Sequence, residues 1–289
     1  MAARRSAILN VMTATAQKAA RSLVRDFGEV ENLQVSRKGP ADFVSSADMA
    51  AEKIIKTELK KARPDYGFLM EESGAAPGKD KDTRWVVDPL DGTTNFLHGV
   101  PHWAISIALE HGKEVVAAVV YDPVKDEMFM AEKGQGAFVN NKRMRVSGRS
   151  HLDAAMIATG MPFKGRASSP TYPQELERVS AEVAAVRRFG SAALDLAYVA
   201  MGRYDGFWEW HLSPWDTAAG MLLVTEAGGF VTEVGGGKNP IYGDSVLATN
   251  QILHTHLNKL IKPTVARAVK TVTKTASDKA ANSKDTATK

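Results

Sequence analysis

Cysteine is absent from all 289 residues, which excludes a disulfide framework, a thiolate metal site and a cysteine nucleophile. Long apolar runs are missing too. None approaches the ~20 residues of a membrane-spanning helix, so no membrane span is expected, and the chain suits a reducing cytoplasm. Acids are missing before Asp26, whereas Arg4, Arg5, Lys18, Arg21 and Arg25 are basic. Organelle-targeting peptides share that bias. Ile8, Leu9, Met12, Ala16, Ala19, Leu23 and Val24, however, recur at helical spacing and predict the first helix of the fold instead. Large apolar groups run out after Val272. Pro263–Lys289 carries six basic residues against two acids, a surplus of four that equals the formal charge of the whole chain. Such a segment buries too little surface to offset the entropy of ordering, so residues 263–289 are expected to form a disordered basic tail. Contact with nucleic acid or RNA polymerase is the alternative role for it.

What is present is ordinary for a globular domain. Hydrophobic residues make up 44% and charged residues 24%, enough for one large core or two modest ones. A helix is predicted from about Ser46 to Ala62, with Ala47, Ala51, Ile54, Ile55 and Leu59 buried and Ser45 or Ser46 as its N-cap. YGFLMEE and TRWVVD read as strands that end on acids. AISIALEHG, EVVAAVVYD, EMFMAEKG and GAFVNNKRMRVS read as further strands joined by tight turns. GQGAF lacks a following helix and is a hairpin turn, not part of a dinucleotide loop. Beyond Ser150 the pattern alternates strand and helix: strand AAMIATG, helix Pro173–Val186, helix SAALDLAYVAMG, strand DGFWEW, helix WDTAAGMLLVTEAG, strands FVTEV and SVLATN, and a last helix to Ile261. The expected organisation is an α+β unit over 1–148, an α/β unit over 149–262, and the tail.

The stretch WVVDPLDGTTNF places two acids and two hydroxyls at the end of a strand that otherwise reads as core. Asp88 and Asp91 join the pair Glu71-Glu72 from another strand end and Asp216 from a helix start. Structural caps explain these acids one at a time, Asp216 in SPWDTAAG above all. They explain the set poorly, because buried carboxylates need cations and Arg84 is the only base nearby. Hard oxygens without His or Cys are the ligand set for Mg²⁺. Gly92 lets the backbone approach closely, and the amides that follow can seat a phosphate. Together these features point to phosphoryl chemistry by attack of cation-activated water. His98, His102 and His211 sit beside aromatics and read as packing residues.

The motifs EES at 71–73, DPLDGTTNF at 88–96, GSAALDLAYVAMGRYDGFWE at 190–209 and PWDTAAG at 214–220 closely resemble the inositol monophosphatase family, in particular its bacterial suppressor-type members. The resemblance runs to about residue 261. It implies a layered αβαβα sandwich of the sugar-phosphatase type with mixed sheets, often a homodimer. It implies Mg²⁺, about two to three ions per site, held by Glu71, Asp88, the Leu90 carbonyl, Asp91 and Asp216. Thr93 paired with Asp48 would orient and help deprotonate the attacking water, and Gly92 and Thr93 amides would seat the phosphate. Gly190, Ser191, Ala192, Glu209 and Asp216 would line the alcohol side, and Lys38 would lie on a mobile loop. Lithium and excess Mg²⁺ would inhibit. Two departures are mild: Met70 stands where many members have glycine, and Ser45 where many have threonine.

The function implied is hydrolysis of inositol monophosphate. Fructose 1,6-bisphosphatase and histidinol phosphatase are the enzymatic alternatives. DGTTNF argues against a nucleotide phosphatase, which would carry Lys-Glu-Phe there. A role beside RNA polymerase and ribosomal-RNA transcription factors is the reading from a different class.

Overall fold

The computed structural model describes residues 6–29, 35–39, 42–162 and 170–262, with backbone alone for 35–39 and 42–44. The basic tail at 263–289, Arg4, Arg5 and the side chain of Lys38 lie outside the described residues. Ser6 starts α1 (Ala7–Phe27), its hydroxyl accepting the Leu9 N–H. The predicted stripe is buried from Leu9 to Leu23, but Val24 is 48% exposed, because the next position in the helical turn swings past the edge of the layer. β1 (Val35–Gly39) and β2 (Asp42–Ser45) form an antiparallel hairpin that runs into α2 (Ser46–Ala62).

Next come β3 (Gly67–Met70), β4 (Gly74–Ala76), β5 (Thr83–Asp91) and the one-turn α3 (Thr93–Leu97). The meander β6 (Ala104–His111), β7 (Glu114–Asp122), β8 (Glu127–Glu132), β9 (Gly136–Val139) and β10 (Lys142–Arg143) completes an eight-stranded sheet. The single strand read into GAFVNNKRMRVS is broken at Asn140 and Asn141. Both adopt positive φ (45° and 68°), the left-handed turn conformation that asparagine tolerates best after glycine.

The second sheet has five strands. It is built from β11 (Met156–Thr159), β12 (Ala185–Arg187), β13 (Gly206–Trp210), β14 (Phe230–Thr232) and β15 (Ser245–Thr249). Its helices are α4 (Tyr172–Glu182), α5 (Ala192–Ala200), α6 (Pro214–Glu226) and α7 (His254–Ile261). The helix expected over Pro173–Val186 stops at Glu182, because Ala185–Arg187 pair in parallel with β11. Pairing of that short segment with a sheet edge is a long-range contact that outweighs its local helical spacing.

Alternation along β5 builds the layers. Trp85 and Val87 join a core with α1 and α2, while Val86 joins the core that α5 and α6 form between the two sheets. Phe207 on β13 faces that same central core, and its neighbour Trp208 faces a third core with α4 and α7. Five layers result in the order helix, sheet, helix, sheet, helix, which is the αβαβα sandwich with mixed sheets. The central core draws residues from both sides of position 148.

Candidate active site

β5 runs parallel to β3 and antiparallel to β6, and its register with β6 breaks between Asp88 and Asp91. Pro89 lies in that break. It has no N–H to donate to the ladder, so a bulge is the form in which a strand accommodates it. The bulge delivers Asp88, the Leu90 carbonyl and Asp91 together to the strand end. Gly92 follows at φ 95°, a conformation that side chains resist, and an added Cβ would stand 3.1 Å from the His102 carbonyl. The backbone can turn there into α3 only because residue 92 is glycine.

Each acid is held by its own local device. The Asp88 carboxylate accepts the Leu90 N–H at 2.8 Å. One oxygen of Asp91 accepts the Ser191 hydroxyl at 2.5 Å and the Ala193 N–H at 2.8 Å, so the start of α5 grips the end of β5. Asp48 is fully buried at the third position of α2. It closes a capping box in which Ser45 donates both its N–H (2.9 Å) and its hydroxyl (2.5 Å). Asp216 repeats the arrangement at the start of α6, accepting the Ser213 N–H at 2.8 Å. Ser106 on β6 donates to the Trp215 carbonyl, which seats that helix start on the first sheet. Glu71 follows β3 and donates its N–H to the Val87 carbonyl at 3.1 Å.

Electrostatics tie these groups together. Burial first, and then the charges of Glu71, Asp91 and Asp216, push Asp88 well above the usual carboxylate range, and it shares a hydrogen bond with Glu71. Burial lifts Asp91 to about 6, with the bonds from Ser191 and Ala193 working against it. Burial also raises Asp48. Among the described residues no three His, Cys, Asp or Glu side chains are drawn to a common point at metal-ligand spacing. Asp88 nevertheless feels the charges of Glu71, Asp91 and Asp216. A shared proton relieves the repulsion between one pair of such carboxylate oxygens, as between Asp88 and Glu71; a cation can relieve it for the whole set, and an all-oxygen set suits a hard one. The donor chemistry therefore fits Mg²⁺.

Thr93 is tied to two acceptors. Its hydroxyl is 3.1 Å from Asp48 Oδ1 and 3.1 Å from the Leu90 carbonyl oxygen, so its one proton is shared between two acceptors. Asn95 on α3 donates to the carbonyls of His102 and Phe189, linking the β5 turn to the segment before Gly190. Gly190 itself has φ 84°. Ser191 caps α5, with Ala192 as the first residue of that helix. Glu209 is half-buried on β13, and its carboxylate lies over Gly160, where a Cβ would force it to move.

Some expectations change. Arg84 does not serve the acid cluster: it pairs with Glu110 at 2.6 Å, toward the opposite end of β5. His102 is packed, against Phe189 and Tyr198, but His98 is exposed and is no packing residue. Asp195 was not anticipated. It is buried on α5, one of its oxygens has no hydrogen-bond partner, and burial followed by the charges of Glu209 and Asp91 raises it well above the usual range. Its signal in the sequence is its position four residues after Ser191, one turn along an otherwise apolar helix.

Comparison with known proteins places the chain in a family. The model of the inositol monophosphatase family matches residues 4–273. An inositol-1-monophosphatase of Mesorhizobium japonicum is 58% identical over 258 residues, which cover 89% of this chain and 97% of the relative. The Nus factor SuhB of Escherichia coli is 45% identical over 243 residues, covering 84% of this chain and 91% of that one. The crystal structure of extragenic suppressor protein suhB from Bartonella henselae superposes with a TM-score of 0.87 at 57% identity, covering 90% of this chain and all of that one.

Proposed function

Since the chain belongs to the inositol monophosphatase family and is a phosphoric monoester hydrolase that cleaves inositol monophosphate to inositol and phosphate, we propose a division of labour among its residues. Glu71, Asp88, the Leu90 carbonyl, Asp91 and Asp216 would hold Mg²⁺, with Asp88, Asp91 and Asp216 sharing the more buried ion. The bound ions supply positive charge against the phosphate and acidify water. Thr93, backed by Asp48, orients the attacking water and accepts its proton through their shared hydrogen bond. Gly92 and Thr93 amides hold the phosphate oxygens. Gly190, Ser191 and Ala192 shape the alcohol side, where Glu209 accepts hydrogen bonds from ring hydroxyls.

The observation that carries this reading is the Thr93 hydroxyl shared between Asp48 and the Leu90 carbonyl, beside the strand-end bulge that carries Asp88 and Asp91, where the charges of Glu71, Asp91 and Asp216 act on buried Asp88. The test is a substrate panel with Mg²⁺: inositol 1-phosphate, 2′-AMP, glycerol 2-phosphate, fructose 1,6-bisphosphate and histidinol phosphate. Inositol 1-phosphate should be turned over best, exhaustive chelation should stop it, and lithium and excess Mg²⁺ should both inhibit. Activity that survives chelation would sink the mechanism.

A homodimer in the cytoplasm completes the proposal. Exposed Val100 and Phe189, at 43% each, offer apolar surface for a second copy, and no helix among the described residues is long and apolar enough to cross a membrane. The 45% identity to a Nus factor favours a second role beside transcription. A salt-sensitive pull-down with RNA polymerase, with and without residues 263–289, separates that role from catalysis.

A further inference from the structure

One stripe of α2 meets three successive points around the candidate site. Asp48, Glu52 and Lys56 recur every four residues and so lie one above another on a single helical face. Asp48 reaches Thr93. Glu52, 4% exposed, accepts the Glu72 N–H on Oε2 at 2.9 Å. Lys56, at the exposed end, reaches the Ser73 hydroxyl at 3.3 Å. The neighbouring stripe of Ala47, Ala51, Ile55 and Leu59 is buried and fixes α2 against the first sheet.

We propose that Glu52 is a positioning residue for Glu71. It never touches the ion or the substrate. The Glu72 N–H belongs to the rigid peptide plane that begins at the Glu71 carbonyl, so holding that N–H sets the direction in which the chain leaves Glu71. On its other side Glu71 is tied by its own N–H to Val87. Two anchors flanking one residue, on β5 and on α2, leave its Cα little freedom. Because Asp48 stands on the same face of the same helix, α2 also sets the distance between the water-activating pair and the Glu71 ligand. The inference rests on the reading of Glu71 as a metal ligand.

The test uses Mg²⁺ calorimetry and the Mg²⁺ concentration for half-maximal activity, with melting temperatures measured without metal. Glu52→Gln removes the charge and keeps an oxygen that can accept the Glu72 N–H. Glu52→Asp keeps the charge and falls short by one methylene. Glu52→Asp should weaken Mg²⁺ binding roughly tenfold or more, the usual effect of losing a group that orients a ligand, and Glu52→Gln should stay near wild type. The reverse order would show that Glu52 acts only as a nearby negative charge and would overturn the proposal. So would a lowered metal-free melting temperature in Glu52→Asp with unchanged Mg²⁺ affinity, since that is a purely structural role. Glu71→Gln is the companion measurement. If it alone leaves Mg²⁺ affinity unchanged, the ligand assignment fails; if it weakens binding and Glu52→Asp does not, only the positioning role fails. In the double variant Glu52→Asp should add nothing to Glu71→Gln.

Discussion

Asp91 and Thr93 are two residues apart and should fail in different ways. Asp91→Asn keeps the shape and an acceptor for Ser191 and Ala193, so the fold should survive while a ligand charge is lost. Turnover should vanish and calorimetry should show weakened Mg²⁺ binding. Thr93→Ala removes only the hydroxyl between Asp48 and the Leu90 carbonyl. It should retain Mg²⁺ affinity and slow the chemical step by about a hundredfold or more, the scale of a lost proton-transfer contribution. Equal loss of affinity in both would contradict the division. Glu209, seated over Gly160, is proposed for the alcohol side. Glu209→Gln should raise KM for inositol 1-phosphate, a loss of about 1–3 kcal/mol in binding, and leave kcat on a small aryl phosphate nearly unchanged. Parallel loss on both substrates would move Glu209 into the metal shell or the fold.

Helix starts are the elements that matter most to this site. α2 and α6 both open with serine followed three residues later by aspartate, and in both the aspartate closes a capping box. The carboxylate that caps the helix is therefore the same group that faces the site. For Asp48, capping and chemistry are not competing explanations, because one oxygen accepts from the cap while the other accepts from Thr93. Ser45→Ala should expose this coupling. It removes the hydroxyl that donates to Asp48 Oδ2 and accepts the Ala47 N–H. Stability should fall by about 1 kcal/mol in urea titration, and kcat should fall with it even where the protein is fully folded. Unchanged kcat in the folded variant would mean that Asp48 needs no help from its cap.

At the scale of the molecule, the two sheets are also clasped far from the site. Tyr242, beyond β14, donates to both oxygens of buried Glu110 on β6, and Arg84 donates to Glu110 and to the Tyr242 oxygen. Burial, with the Glu110 contact next, pushes the tyrosine up to about 12, so it remains a donor throughout the useful pH range. Tyr242→Phe should destabilise the fold by about 1–2 kcal/mol, read as a lower denaturant midpoint, and leave turnover unaltered. Acid should loosen the molecule through His102. Burial, and then Lys125, hold it down to about 4, below its ordinary 6.5. The unfolded chain therefore binds the proton more readily, so the contribution of neutral His102 is complete above pH 6.5 and is lost as pH falls toward 4. Between pH 7 and 4 the urea midpoint of wild type should drop more than that of His102→Gln. Parallel curves would show that His102 titrates normally.

Features written in short spans of the chain were legible without coordinates. Alternation of Trp85, Val86 and Val87 announces a strand buried on both faces. The spacing of Ala47, Ala51, Ile55 and Leu59 announces α2, and Ser45 or Ser46 its start, of which the structure uses Ser45. The break at Pro89 emerged from the pairing of β5 with β6, whereas Gly92 was legible as a point of close backbone approach, because freedom from a side chain is a property of a single residue. The acids could be named for the same reason: a carboxylate at the end of an apolar run is conspicuous wherever it ends up. Which carboxylates meet, and what holds them, was decided only by packing. Ser191 grips Asp91 across a hundred residues, Glu52 reaches Glu72 from a neighbouring helix, and Arg84 is drawn away to Glu110. Asp195 looks like one polar residue in an apolar helix until α5 buries it where the charges of Glu209 and Asp91 reach it. Ala185–Arg187 became a strand only because an edge of the second sheet stood beside it. Local spacing specifies a residue's face and conformation. Its partners follow from how five layers bury their apolar faces, and that is a property of the whole chain.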